Sequence, residues 1–74
     1  MEERIFKVIE EVNPDILNYT GDNMMEEGIS DSFEIIDIVT GLEEEFDIEI
    51  DASLVIAKNF ANKESIVKMM EGIL

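Results

Sequence analysis

The sequence predicts an all-α protein: a small four-helix bundle of three longer helices and one short one, with a long loop between helices 1 and 2. Two observations carry this. Apolar residues recur at helical spacing in three separate windows. The one stretch that alternates apolar and polar residues, Asp47-Ile48-Glu49-Ile50-Asp51, has no partner strand elsewhere. A chain of 74 residues makes a single domain, 1–74, with a modest core.

The first helix is predicted over residues 2–12, where Ile5, Val8, Ile9 and Val12 fall on one face. Asn13-Pro14 ends it, because the residue before proline is pushed out of the helical region. Residues 13–30 read as a long loop rich in turn formers: Asp15, Asn18, Gly21, Asp22, Asn23 and Gly28. Ile16, Leu17, Met24, Met25 and Ile29 must still pack, and a short helical turn fits near Asp15–Tyr19. Loops this long in small domains are unusual and often functional.

The strongest helical pattern covers 31–46. Asp31 and Glu34 have capping-box spacing, which makes Asp31 the N-cap and Ser32 the first helical residue. Ile35, Ile38, Val39, Leu42 and Phe46 share the core face. Gly41 weakens this helix by about 1 kcal/mol relative to alanine, a cost that a tight helix crossing would explain. Residues 47–51 are read as an extended connector. Asp51 is placed to cap a short helix over 52–57, and Asn62 to cap a last helix over 63–73 with Ile66, Val67, Met70 and Ile73 as its apolar stripe. The expected core is Ile5, Val8, Ile9, Val12, Ile29, Ile35, Ile38, Val39, Leu42, Phe46, Ile48, Ile50, Ile66 and Met70.

Composition narrows the chemistry. There is no cysteine and no histidine, which removes thiolate chemistry, the commonest general acid/base and the commonest metal ligand. Nineteen acids against five bases give a net charge of −14, which repels nucleic acid and anionic lipid and attracts basic protein patches. The same acidity also serves solubility alone. No apolar stretch approaches the ~18 residues of a membrane span. Met1-Glu2-Glu3-Arg4 lacks the basic start and apolar core of a signal peptide, so a cytoplasmic protein is expected. Asp47, Glu49 and Asp51 alternate and Glu43, Glu44 and Glu45 are contiguous, but no calcium-loop pattern accompanies them, and no dedicated metal site is expected.

Ser32 is the residue of interest, in Gly28-Ile29-Ser30-Asp31-Ser32-Phe33-Glu34. Spacing alone favours an ordinary helix-start serine whose hydroxyl caps. A nucleophilic serine is a poor reading, since no histidine exists and Lys58 and Lys63 are distant in sequence. A modified serine is better. The first residue of a helix presents its side chain near unpaired N–H groups and the positive end of the dipole, where a phosphodiester is tolerated. Phe33, Asp37, Thr40 and Glu44 form an outward stripe beginning beside Ser32: an apolar anchor within an electrostatic guide. The alternative for Phe33 is that it folds back against the long loop or Ile56.

With these residues in view, the chain resembles the acyl carrier protein family. The resemblance follows helix order and loop size over nearly the whole length. It is closest over Asp31 to Ile50, where Asp31-Ser32-Phe33 leads into an acidic helix ending in Glu43-Glu44-Glu45-Phe46-Asp47. It implies that Ser32, beside Asp31, receives 4′-phosphopantetheine from coenzyme A through a phosphopantetheinyl transferase. The thiol arm would carry acyl groups as thioesters, and the chain itself would not be an enzyme. It further implies that partner enzymes with basic patches dock on Phe33, Glu34, Asp37, Thr40, Glu43 and Glu44. These partners would be an acyl- or aminoacyl-loading ligase and downstream synthases or transferases. An acyl chain could shelter among Ile38, Leu42, Phe46, Ile56 and Phe60. A monomer without nucleic-acid partners or membrane insertion is expected.

The sequence departs from the family pattern in places. Phe33 replaces the usual leucine, and Thr40 stands where fatty-acid carriers often have methionine. The region from Asp51 to Phe60 looks about two residues long, and Lys63 takes a position that is usually apolar. The Asp-Ser-Phe form is also similar to D-alanyl and other stand-alone carriers served by an adenylating ligase. A specialised stand-alone carrier is therefore expected, with fatty acyl, aminoacyl or another carboxylate as cargo. The rival expectation is an unmodified acidic domain that binds a basic protein surface through the same helix.

Overall fold

The computed structural model describes all of residues 1–74 and is all-helical. Its helices are α1 (Glu2–Val12), α2 (Asp15–Asn18), α3 (Ser32–Phe46) and α4 (Lys63–Ile73). Two 3₁₀ turns, Ala52–Leu54 and Ala57–Phe60, lie between α3 and α4. No helix is long and apolar enough to cross a membrane.

Helix α1 buries Ile5, Val8 and Ile9 and ends at Asn13, whose extended backbone is what a following proline imposes. Asn13 Oδ1 then accepts from the Asp15 amide at 3.0 Å and starts α2, which drives Ile16 into the core. The rest of the loop is pinned by Met24. Its side chain is fully buried, its amide donates to the Ala61 carbonyl at 3.0 Å, and its carbonyl accepts from Ile29 and Ser30 at 2.8 and 3.1 Å. The reversal that this requires places Gly28 at φ +77°, a conformation that costs glycine least.

Helix α3 packs across α1, and Gly41 marks the crossing. A Cβ at position 41 would stand 2.7 Å from Val8 Cγ1, so the absent side chain is what permits the approach. Arg4 of α1 clasps the far end of α3. It pairs with the Glu45 carboxylate at 2.7 Å, donates to the Glu45 carbonyl at 2.7 Å, and lies 4.4 Å over the Phe46 ring. Asp47 then turns left-handed at φ 52°, and the Ile48 amide returns to the Glu43 carbonyl at 3.1 Å.

The single short helix expected over 52–57 is instead the two 3₁₀ turns. Asp51 caps the first by accepting from the Ser53 amide at 2.8 Å, and that bond holds the Asp51 carboxyl below its ordinary value. The β-branched pair Val55-Ile56 then leaves helical geometry, with Ile56 extended. Asn59 Nδ2 takes the Leu54 carbonyl at 2.8 Å, which replaces a helical bond. The short α-helix of the chain lies in the first loop, at α2. Asn62 caps α4 as expected, accepting from the Ser65 amide and hydroxyl at 2.8 Å each.

Fourteen residues form the core. Nine of the expected ones are in it, while Val12, Ile29, Val39, Phe46 and Ile48 lie half-buried at its rim. Ile16 and Met24, loop residues that had to pack, and Val67 of the α4 stripe join it, Met69 joins it unforeseen, and Phe60, expected to line a pocket, is buried in it. The loop and the 3₁₀ segment supply Ile16, Met24 and Phe60, because a bundle with only three long helices needs irregular segments to close it.

Candidate functional site

Ser32 is exposed at the first position of α3, and the task of capping has passed to its neighbour. Asp31 Oδ1 accepts from the Glu34 amide at 2.9 Å. Only this half of the anticipated capping box forms. The Glu34 side chain turns away from Asp31 and accepts from Ser30 Oγ at 2.7 Å and Asn13 Nδ2 at 3.0 Å.

A half-open apolar groove of ≈ 290 Å³ adjoins Ser32. Met25, Ile35, Ile36, Val55, Ile56 and Phe60 line it. Its rim is unusually greasy for a chain of this charge: Ile36 is 58% exposed and Ile56 49%. Phe33 is 78% exposed, so it does not fold back against the loop or Ile56.

The groove shares only part of its lining with the expected acyl pocket. Ile56 and Phe60 line the groove, but Ile38 and Leu42 are fully buried core residues and Phe46 lies beneath Arg4 at the opposite end of α3. The reason is helical phase. Ile38 and Leu42 belong to the core face of α3, which packs on α1, whereas the groove opens along the first turn of α3 against the 3₁₀ segment. Met25, Ile35, Ile36 and Val55 were not anticipated as lining. The adjacent pairs Met24-Met25 and Val55-Ile56 carried the only signal, since two consecutive apolar residues in a loop cannot both face the core.

The stripe Phe33, Asp37, Thr40 and Glu44 is exposed along its whole length and borders a second groove between α1 and α3. Two ion pairs form in the protein, Arg4–Glu45 and Lys63–Glu64, so Asp37 and Glu44 present unpaired charge. The two other acids expected on this surface are engaged within the chain. Glu34 is held as described, and Glu43 Oε2 accepts from the Ile50 amide at 2.8 Å, fixing the connector. The stripe of unengaged acids is thus narrower than the row of acids in the sequence.

No group of three or more acidic side chains is arranged to hold a metal ion. The chain contains no histidine, the commonest general base, to accompany Ser32. What remains is an accessible hydroxyl at a helix N-terminus, an apolar groove beside it and an acidic stripe leading away from it. No family model matches the chain, and no curated protein and no solved structure matches it significantly.

Proposed function

We propose that this protein is a carrier: it holds carboxylate intermediates as thioesters on a 4′-phosphopantetheine arm at Ser32 and delivers them to partner enzymes. The observation that carries this reading is the division of labour at the start of α3. Asp31 serves as the cap, and Ser32 is left exposed beside an apolar groove. A serine needed only for helix stability would occupy the capping position itself.

The residues present fit such an arm. Ser32 would be the attachment point, with the orphan N–H groups of α3 favouring the phosphodiester. Ile36, Val55 and Ile56 offer the arm's aliphatic part an apolar wall. When bound, the arm supplies the thiol that a chain without cysteine lacks. In the loading step the Ser32 oxygen forms a bond to phosphorus and the pyrophosphate bond of coenzyme A breaks. Adenosine 3′,5′-bisphosphate leaves, and the hydroxyl proton passes to a base of the transferase. Phe33 then serves as the apolar anchor for partner enzymes, with Asp37 and Glu44 as the charges that steer basic patches. Phe33 and Thr40 favour a specialised stand-alone carrier over one of primary fatty-acid synthesis. On this reading the bundle is a carrier fold working in the cytoplasm.

A second reading is an unmodified acidic interaction domain, for which the same exposed stripe would suffice. Intact-protein mass separates the two after incubation with coenzyme A, magnesium and a broad-specificity phosphopantetheinyl transferase. The carrier gains one phosphopantetheinyl unit, and Ser32→Ala gains none while staying folded. A folded wild type that gains no mass with several transferases points to the interaction domain.

A further inference from the structure

We propose that Asn13, Ser30 and Glu34 form a knot that positions Ser32 for modification, with Glu34 as an internal acceptor and not a contact for partner enzymes. This inference rests on the carrier reading.

The loop that delivers the chain to Ser32 has no regular structure between α2 and α3, and its last residues are held to Met24 by the Ile29 and Ser30 amides alone, which ties them within the loop but not to a helix. The knot ties them down. Asn13 is a fixed point, because it ends α1 in the extended geometry before Pro14. From there Asn13 Nδ2 donates to the Ile29 carbonyl at 2.8 Å and to Glu34 Oε1 at 3.0 Å. Ser30 Oγ donates to the same carboxylate oxygen at 2.7 Å, and Ser30 is the one buried polar residue of the protein. The Glu34 amide is held in turn by Asp31. Ile29, Ser30, Asp31 and Glu34 are therefore fixed on both sides of Ser32 while Ser32 itself stays accessible.

Two consequences follow from the chemistry. A charged acceptor makes these bonds stronger than neutral ones, so the segment carrying the nucleophilic hydroxyl is ordered before a transferase meets it. Turning the Glu34 carboxylate toward α1 also engages one half-exposed acid of the surface where basic partners would bind.

The test separates the carboxylate's charge from its capacity to accept hydrogen bonds. Transferase kcat and KM are measured with coenzyme A for wild type, Glu34→Ala, Glu34→Gln and Ser30→Ala, with Asp37→Asn as the comparison for an exposed acid. A glutamine oxygen can accept both bonds, so Glu34→Gln should stay within about threefold of wild type. Glu34→Ala should lose about tenfold in kcat/KM, and Ser30→Ala less, because misplacing the reacting group is costly. Asp37→Asn should raise KM at low salt. Equal losses in Glu34→Gln and Glu34→Ala would make Glu34 a docking acid and overturn the positioning role, as would a fully active Glu34→Ala. If Glu34→Ala does not fold, an unimpaired Ser30→Ala overturns the role by itself. A wild type that accepts no arm refutes the carrier reading, and the positioning role falls with it.

Discussion

Asp31, Ser32 and Phe33 are neighbours in three separate settings: Asp31 caps α3, Ser32 stands exposed at its first position and Phe33 is exposed beyond it; the proposed carrier function makes the last two attachment point and anchor. The helix start makes this possible, since successive residues there point in different directions while sharing one set of orphan amides. Tyr19 is a second residue whose surroundings have a measurable consequence. Its hydroxyl donates to Glu27 and accepts from the Asn23 amide at 2.9 Å, closing the first part of the loop. Loss of solvation, reinforced by the hydrogen bond to Glu27, raises its ionisation above the usual phenol value of 10.0. The folded state therefore favours the neutral phenol. The stabilisation is complete below the unfolded value and disappears as pH rises through the folded one. Urea midpoints of wild type should fall more steeply above about pH 10 than those of Tyr19→Phe, which lacks the group. Parallel pH profiles would show that the Tyr19–Glu27 bond contributes nothing.

Helix α3 is built against local preference at two places. Gly41 weakens it, and Glu43, Glu44, Glu45 and Asp47 crowd the end where the helix dipole favours cations. Packing explains the first, and the proposed docking of basic partners would explain the second. Gly41→Ala gains about 1 kcal/mol of helix propensity, yet the new methyl meets Val8, whose branched side chain is stiff in a helix. Overpacking costs about 1–3 kcal/mol, so a net loss of about 1 kcal/mol is expected. In a domain of this size that lowers the melting temperature by about 4–8 °C. In a Val8→Ala background the same substitution should be neutral or stabilising, and a double-mutant cycle measures the coupling. At the far end Arg4 relieves part of the charge by bonding the Glu45 carboxylate and carbonyl together. Glu44 gains no such partner and stays exposed on the outer stripe.

A net charge of −14 on 74 residues, with two internal ion pairs, makes self-repulsion a property of the whole molecule. Sodium chloride shortens the screening length from about 10 Å at 0.1 M to about 3 Å at 1 M, so added salt should raise the urea midpoint. A midpoint that stays flat or falls would mean that the ion pairs outweigh the repulsion. The same salt should weaken docking to a basic partner, because the steering field is screened as well. Stability and recognition should therefore respond to ionic strength in opposite directions.

The sequence by itself determined the boundaries of the three long helices, the caps at Asp31 and Asn62, the exposed stripe from Phe33 to Glu44 and the prominence of Ser32. These follow from periodicity and capping chemistry, which act over one or two turns of chain. Tertiary structure decided what lies between distant segments. It placed Met24 and Phe60 in the core and formed the groove from the loop, the start of α3 and the 3₁₀ segment. It set Ile38, Leu42 and Phe46 apart from that groove and engaged Glu34 and Glu43 in hydrogen bonds within the chain. An acid in a sequence carries a charge but no direction. Whether it faces solvent or a buried donor depends on where Asn13 or the Ile50 amide comes to rest, and packing sets that.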